Sequence, residues 1–174
     1  MIGSLELAAA LLLGGAGTAK LVAPGPAAAM LRRAWRPVPH AVVRVGAVPE
    51  LAVTLAVVAR GDRASALALG GCYLAFAAVT VRLMRRRERA SCGCFGRADG
   101  PVGGIHLAVN AAAIGIAAAA AIRPPGRLGG LFDEGALRGV VGAGQSALLA
   151  YLAFLALTAL PSMTAARRLL MESR

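Results

Sequence analysis

The stretch IGSLELAAALLLGGAGTAKLV, residues Ile2 to Val22, carries formal charge only at Glu6, near its start, and at Lys20, near its end. At a rise of about 1.5 Å per residue, a helix of this length crosses the roughly 30 Å hydrocarbon core of a bilayer. The small residues Ala16 to Ala19 suit a signal-peptide cleavage site, but no basic segment precedes the apolar run, so the stretch reads as a retained transmembrane helix.

Working outward, the same pattern recurs four times. Spans are expected at about Ala41 to Ala59, Ala64 to Met84, Gly103 to Ile122 and Gly139 to Leu160, the last ended by Pro161 and followed by a short basic tail. Between the first two, Pro24 and Pro26 break the chain. Ala27 to Arg36 then sets Met30, Leu31 and Trp35 beside Arg32, Arg33 and Arg36, as suits a short helix lying in the headgroup plane. Ala90 to Val102 is a glycine-rich loop, and Arg123 to Arg138, with Pro124, Pro125, Gly126, Gly129 and Gly130, reads as an exposed one. The fold class is therefore all-α: an integral membrane bundle with a four-helix core (residues 1–122), a connecting loop (123–138), and a fifth transmembrane helix with its tail (139–174).

Composition agrees. Of 174 residues, 58% are hydrophobic and only 4% aromatic, so the apolar mass is Ala, Leu, Val and Gly, and the charges cluster in short segments between the spans. The net charge of +11 does not point to nucleic acid, because the arginines flank hydrophobic stretches and no aromatic-interleaved basic surface accompanies them. The partner implied is the lipid bilayer with its anionic headgroups. With five spans the termini lie on opposite sides. One side receives thirteen arginines, including Arg32, Arg33, Arg36, Arg82, Arg85, Arg86, Arg87 and Arg89; the other receives Arg60, Arg63, Arg123, Arg127 and Arg138. The positive-inside rule then places the amino terminus outside and the carboxyl terminus in the cytoplasm.

The chemistry-bearing residues are few. Cys92 and Cys94 are separated by one glycine, which permits the tight backbone that brings two sulfurs together. A disulfide across one residue closes a small strained ring and is readily reduced, and Arg89 and Arg97 favour the nucleophilic thiolate. The plainer readings are a pair of small buried residues, or a metal site in which His106 joins the two sulfurs and leaves a closed site one ligand short. Cys72, near mid-membrane, reads as a packing residue.

Glu50 follows Pro49 well inside the second span, where an isolated carboxylate is costly. It must face the bundle interior, and Lys20 is its candidate partner, although a lysine so placed can also snorkel to the headgroups. His106 and Asn110, four residues apart on one face of the fourth span, enter from the same side as the Cys loop and Lys20.

Ala16-Gly17-Thr18-Ala19-Lys20-Leu21, Pro49-Glu50-Leu51 and Cys92-Gly93-Cys94-Phe95-Gly96, leading to His106 and Asn110, together resemble the MauE family, grouped with DoxX-like redox-associated membrane proteins. The likeness covers about Met1 to Ile122. It implies a component of a bacterial cytoplasmic membrane that supports thiol-disulfide exchange beside a thioredoxin-like partner in the maturation of extracytoplasmic proteins. Cys92 and Cys94 would be the exchanging pair. An external partner requires external thiols, whereas the charge count puts the Cys loop on the cytoplasmic face. With one thiol pair, passage of electrons across the membrane then needs a quinone, another protein, or movement of the loop. Two further readings stand beside exchange: a non-enzymatic scaffold or assembly factor with a structural or metal-binding Cys pair, and a quinone or small-molecule site lined by Lys20, Glu50 and His106.

Overall fold

The computed structural model describes residues 2–86, 93, 95, 102–126, 130–133 and 135–172, with backbone only at residues 131 and 161–172. Among these residues the chain is entirely helical: α1 (Ile2–Val22), α2 (Gly25–Ala34), α3 (His40–Ala59), α4 (Arg63–Arg85), α5 (Gly104–Ile122), α6 (Gly130–Asp133) and α7 (Ala136–Glu172). Five of them, α1, α3, α4, α5 and the Ala136–Leu160 part of α7, are long and apolar enough to cross a membrane. The protein is a multi-pass membrane protein.

Four of the spans form the core. Ala9, Ala10 and Leu13 of α1, Val57 of α3, Leu69 and Tyr73 of α4, and Ala113 and Ala117 of α5 meet in one buried cluster, with Cys72 and Phe76 packed against it. The prevalence of alanine is physical necessity. Lipid tails are as apolar as the side chains, so helices associate through close packing, which small residues allow. Gly14 and Gly17 bring α1 and α3 together in this way, since a Cβ on Gly17 would lie 3.3 Å from both Glu50 Cβ and the Leu51 side chain, and one on Gly14 would lie 3.0 Å from Thr54. The Tyr73 hydroxyl donates to the Ala9 carbonyl at 2.8 Å and ties α4 to α1.

Helix α2 forms the α1–α3 connection and packs on α3 and α4. Met30 and Ala34 pack on Leu83 of α4 while Arg32 and Arg33 face outward. Its carbonyl end is met by cations, as the helix dipole favours: Arg82 Nε donates to the Ala34 carbonyl at 2.7 Å and Arg86 to the Arg33 carbonyl at 3.3 Å. The Arg82 guanidinium also stacks 4.9 Å from the centre of the Trp35 ring.

The fifth span ends at Leu160 as expected, but the helix that carries it does not stop at Pro161: α7 runs on to Glu172, and the expected tail is its last turns. Proline removes one backbone bond, here to the Leu157 carbonyl, but Ala165, Ala166, Arg167, Leu169 and Leu170 beyond it are strong helix formers, and the helix resumes. The described residues of segment 123–138 are almost all exposed, as expected, but they are not all loop, since they include α6 and the first turn of α7. Helix α7 packs mainly along α1 and leaves much of its surface to lipid.

Candidate functional site

Cys92 and Cys94 lie outside the described residues; of their motif, Gly93 and Phe95 are described. Gly93 is buried with a φ of +67°, in the left-handed region that favours glycine. A Cβ there would meet the Pro26 carbonyl oxygen at 2.6 Å and the Ala27 amide nitrogen at 2.9 Å, so Gly93 lies directly on the start of α2. Phe95 stacks edge-on against Phe154 of α7, with ring centres 5.2 Å apart and planes at 88°. It also reaches Gly15 of α1, a Cβ on which would stand 3.9 Å from the Phe95 ring.

The bundle also holds a buried ion pair. Lys20 Nζ donates to both Glu50 oxygens, at 2.6 and 2.7 Å, and the two residues are only 7% and 8% exposed. Lys20 therefore turns inward rather than to the headgroups. Its ammonium also lies 4.4 Å from the centre of the Phe76 ring. The Thr54 hydroxyl donates to the Glu50 carbonyl at 2.9 Å and lies 3.1 Å from the Ala10 carbonyl, joining the pair's helix to α1.

His106 and Asn110 are both buried. His106 Nδ1 accepts the Gly103 N–H at 3.3 Å, so the neutral ring carries its proton on Nε2. Asn110 Nδ2 donates to the Thr80 hydroxyl of α4 at 3.5 Å. Both residues line a small cavity of about 30 Å³ with Leu12, Tyr73, Phe76 and Phe95. That volume admits one or two waters. Phe76 is thus shared between the cavity and the ion pair, and Phe95 brings the Cys motif to the cavity wall. Lys20 and Glu50 line neither this cavity nor the larger groove between α1 and α7.

Several participants carry little or no signal in the sequence. Thr54 stands four residues after Glu50, on the same helical face, and that spacing is the one cue to it. Glu6 reads as a residue near the span's edge, yet it is 1% exposed, and its Oε1 has no hydrogen-bond partner among the described residues. Fourteen residues separate Glu6 from Lys20, close to four helical turns, so the two share one stripe of α1 at opposite ends of the bundle. Phe76 and Thr80 give no signal, because an aromatic or a hydroxyl in an apolar span is commonplace. Among the described residues, no three His, Cys, Asp or Glu side chains gather as a metal site would need.

No curated protein and no solved structure matches the chain. The family model of the methylamine utilisation protein MauE matches residues 2–123, which takes in α1 to α5, the Cys-Gly-Cys motif, the Lys20–Glu50 pair and both polar residues of α5. The chain belongs to the MauE family.

Proposed function

We propose that the protein is a membrane component of thiol-disulfide exchange in a bacterial cytoplasmic membrane, working with a thioredoxin-like partner in the maturation of extracytoplasmic proteins. The observation that carries the reading is the Cys92-Gly93-Cys94 motif, whose central glycine is pinned on α2 and whose following residue, Phe95, is packed between α1 and α7. Such anchoring suits a pair that must be presented repeatedly in one place. The arginines flanking the motif, Arg89 and Arg97, support the thiolate.

In the exchange, the thiolate of Cys92 or Cys94 attacks one sulfur of the partner's disulfide. The partner's S–S bond breaks, a mixed disulfide forms, and the partner's other sulfur leaves as a thiolate. The second cysteine of the pair then displaces the partner, which departs reduced by two electrons while the pair becomes a disulfide. Every step is reversible, so the partner's dithiol can equally reduce the pair. The arginine distribution supports an outside amino terminus and a cytoplasmic carboxyl terminus.

Cys92→Ser and Cys94→Ser proteins, purified separately with a thioredoxin-like protein added, provide the test. One of the two is expected to hold the partner as a mixed disulfide that dithiothreitol releases. If neither traps a partner and both retain full activity in cells, exchange is wrong. A stoichiometric bound metal together with unreactive thiols would assign the pair to a scaffold instead.

A further inference from the structure

Six arginines gather at the membrane boundary where α2 connects α1 to α3: Arg32, Arg33 and Arg36 in and just after α2, and Arg82, Arg85 and Arg86 in and just after the last turn of α4. The two groups are joined by the bonds from Arg82 Nε to the Ala34 carbonyl and from Arg86 Nη1 to the Arg33 carbonyl, which reach across 48 and 53 residues of chain. The apolar face of α2 is already used on the bundle, with Ala27 and Ala28 against Val43 and with Met30 and Ala34 against Leu83. What the helix leaves outward is its cations, and Arg32, Arg33, Arg36, Arg85 and Arg86 are all exposed. None of Arg32, Arg36, Arg82, Arg85 and Arg86 has a carboxylate partner among the described residues. Like charge concentrated in this way draws an anion, and at the boundary of the spans the bilayer supplies phosphodiesters.

One of these cations is held in place. Arg82 is half-buried, its Nε is fixed at 2.7 Å on the Ala34 carbonyl, and its guanidinium lies 4.9 Å from the centre of the Trp35 ring. Both Nη groups remain, in a planar fork that fits two oxygens of one phosphate. Trp35 is itself 48% exposed, as an indole at the headgroup level is expected to be. We propose that this patch is a binding site for the phosphodiester headgroup of an anionic phospholipid, with Arg82 as its fixed donor and the arginines around it as the surrounding charge. Diffuse attraction of basic residues to a membrane depends on how many charges there are and is indifferent to which cation carries them. A site built on Arg82 depends on the fork and on the ring that holds it. The proposal is independent of the exchange reading, since it uses neither cysteine.

The test is native mass spectrometry of the full chain in detergent, titrated with phosphatidylglycerol and, separately, with phosphatidylcholine of the same acyl chains. Two variants keep every charge that diffuse attraction would use: Arg82→Lys, which removes the fork, and Trp35→Leu, which removes the ring while leaving the bond to Ala34. Wild-type protein is expected to hold a single phosphatidylglycerol in preference to phosphatidylcholine. Each variant should lose about tenfold in affinity for phosphatidylglycerol alone, with helix content unchanged by circular dichroism. Should Arg82→Lys fail to fold, Trp35→Leu carries the comparison. Equal retention of the two lipids by wild-type protein overturns the proposal, and so does wild-type binding by the folded variants, which is the mark of diffuse attraction. A variant that weakens both lipids alike shows a structural effect and also overturns it. Displacement of phosphatidylglycerol by inorganic phosphate at equal concentration would make the patch a site for the free anion and reject the lipid.

Discussion

Replacing Glu50 by Gln leaves Lys20 buried without its counter-charge and removes an acceptor held at 2.6 and 2.7 Å. At 7% exposure the ammonium has little water to fall back on, and Gly17 holds α1 too close to Glu50 for the lysine to swing outward without separating the helices. Breaking a buried pair by removing one partner costs about 3–5 kcal/mol. At roughly 1.4 kcal/mol per tenfold, that is two to four orders of magnitude in the unfolding constant. The double variant Lys20→Met/Glu50→Leu removes both charges and fills similar volume, and buried pairs replaced this way are often neutral or better. The expected pattern is therefore a large loss for Glu50→Gln and for Lys20→Met alone, and near-native stability for the double variant, a coupling of several kcal/mol. Unfolding can be followed in detergent with a thiol-reactive dye in a Cys92→Ser/Cys94→Ser background. Cys72, packed against the core cluster, then becomes the reporter. Single variants that cost under 1 kcal/mol, or a double variant as unstable as the sum of the two singles, would refute the reasoning.

Gly93→Ala should be more damaging than a typical loop substitution: the left-handed φ alone costs about 1–2 kcal/mol, and the new Cβ meets backbone atoms of Pro26 and Ala27 that cannot rotate away. Introduced into whichever Cys→Ser variant traps the partner, Gly93→Ala is expected to abolish the mixed disulfide, and undiminished trapping would contradict the anchoring described for Gly93. At the opposite end of the bundle, the Ser65 N–H donates to Asp62 at 2.8 Å as the cap of α4 and holds this carboxyl below its usual range. Because the folded value is depressed, the cap's contribution is complete above the unfolded pKa, about 3.9, and is lost as pH falls through the folded one. Asp62→Ala should flatten that acid limb in a pH series of dye-monitored unfolding, and an unchanged limb would show that other groups cause it.

The spans are legible in the sequence because the bilayer imposes one requirement on each of them. Every backbone polar group must be satisfied within the helix while about 20 apolar residues cross the core. Hence α1 has the limits expected for it, α3 and α5 differ by one residue at one end, and α4 by one residue at each end. Pro161 marks the end of the fifth span but not of its helix, since the propensity of the residues beyond it outweighs one missing hydrogen bond. For the site, cost is the readable signal. A carboxylate and an ammonium in lipid demand each other, so Lys20 and Glu50 are paired by their chemistry and their places along the chain alone. What closes the distance between them is Gly17, a residue with no chemistry of its own.

Composition and pattern thus determined that the chain crosses a membrane five times, which residues bear reactive groups, and which pair of charges must meet. Only the tertiary structure decided which helix lies beside which. That Phe95 reaches α7, that Phe76 stands between Lys20 and the cavity of α5, that Glu6 is sealed inside, and that α7 leaves a groove along α1 are facts of packing. In lipid, an apolar side chain gains nearly as much from a tail as from a neighbouring helix. Hydrophobicity therefore marks each helix and is silent about its neighbours, which are chosen by shape, by small residues, and by the few polar groups that must find partners.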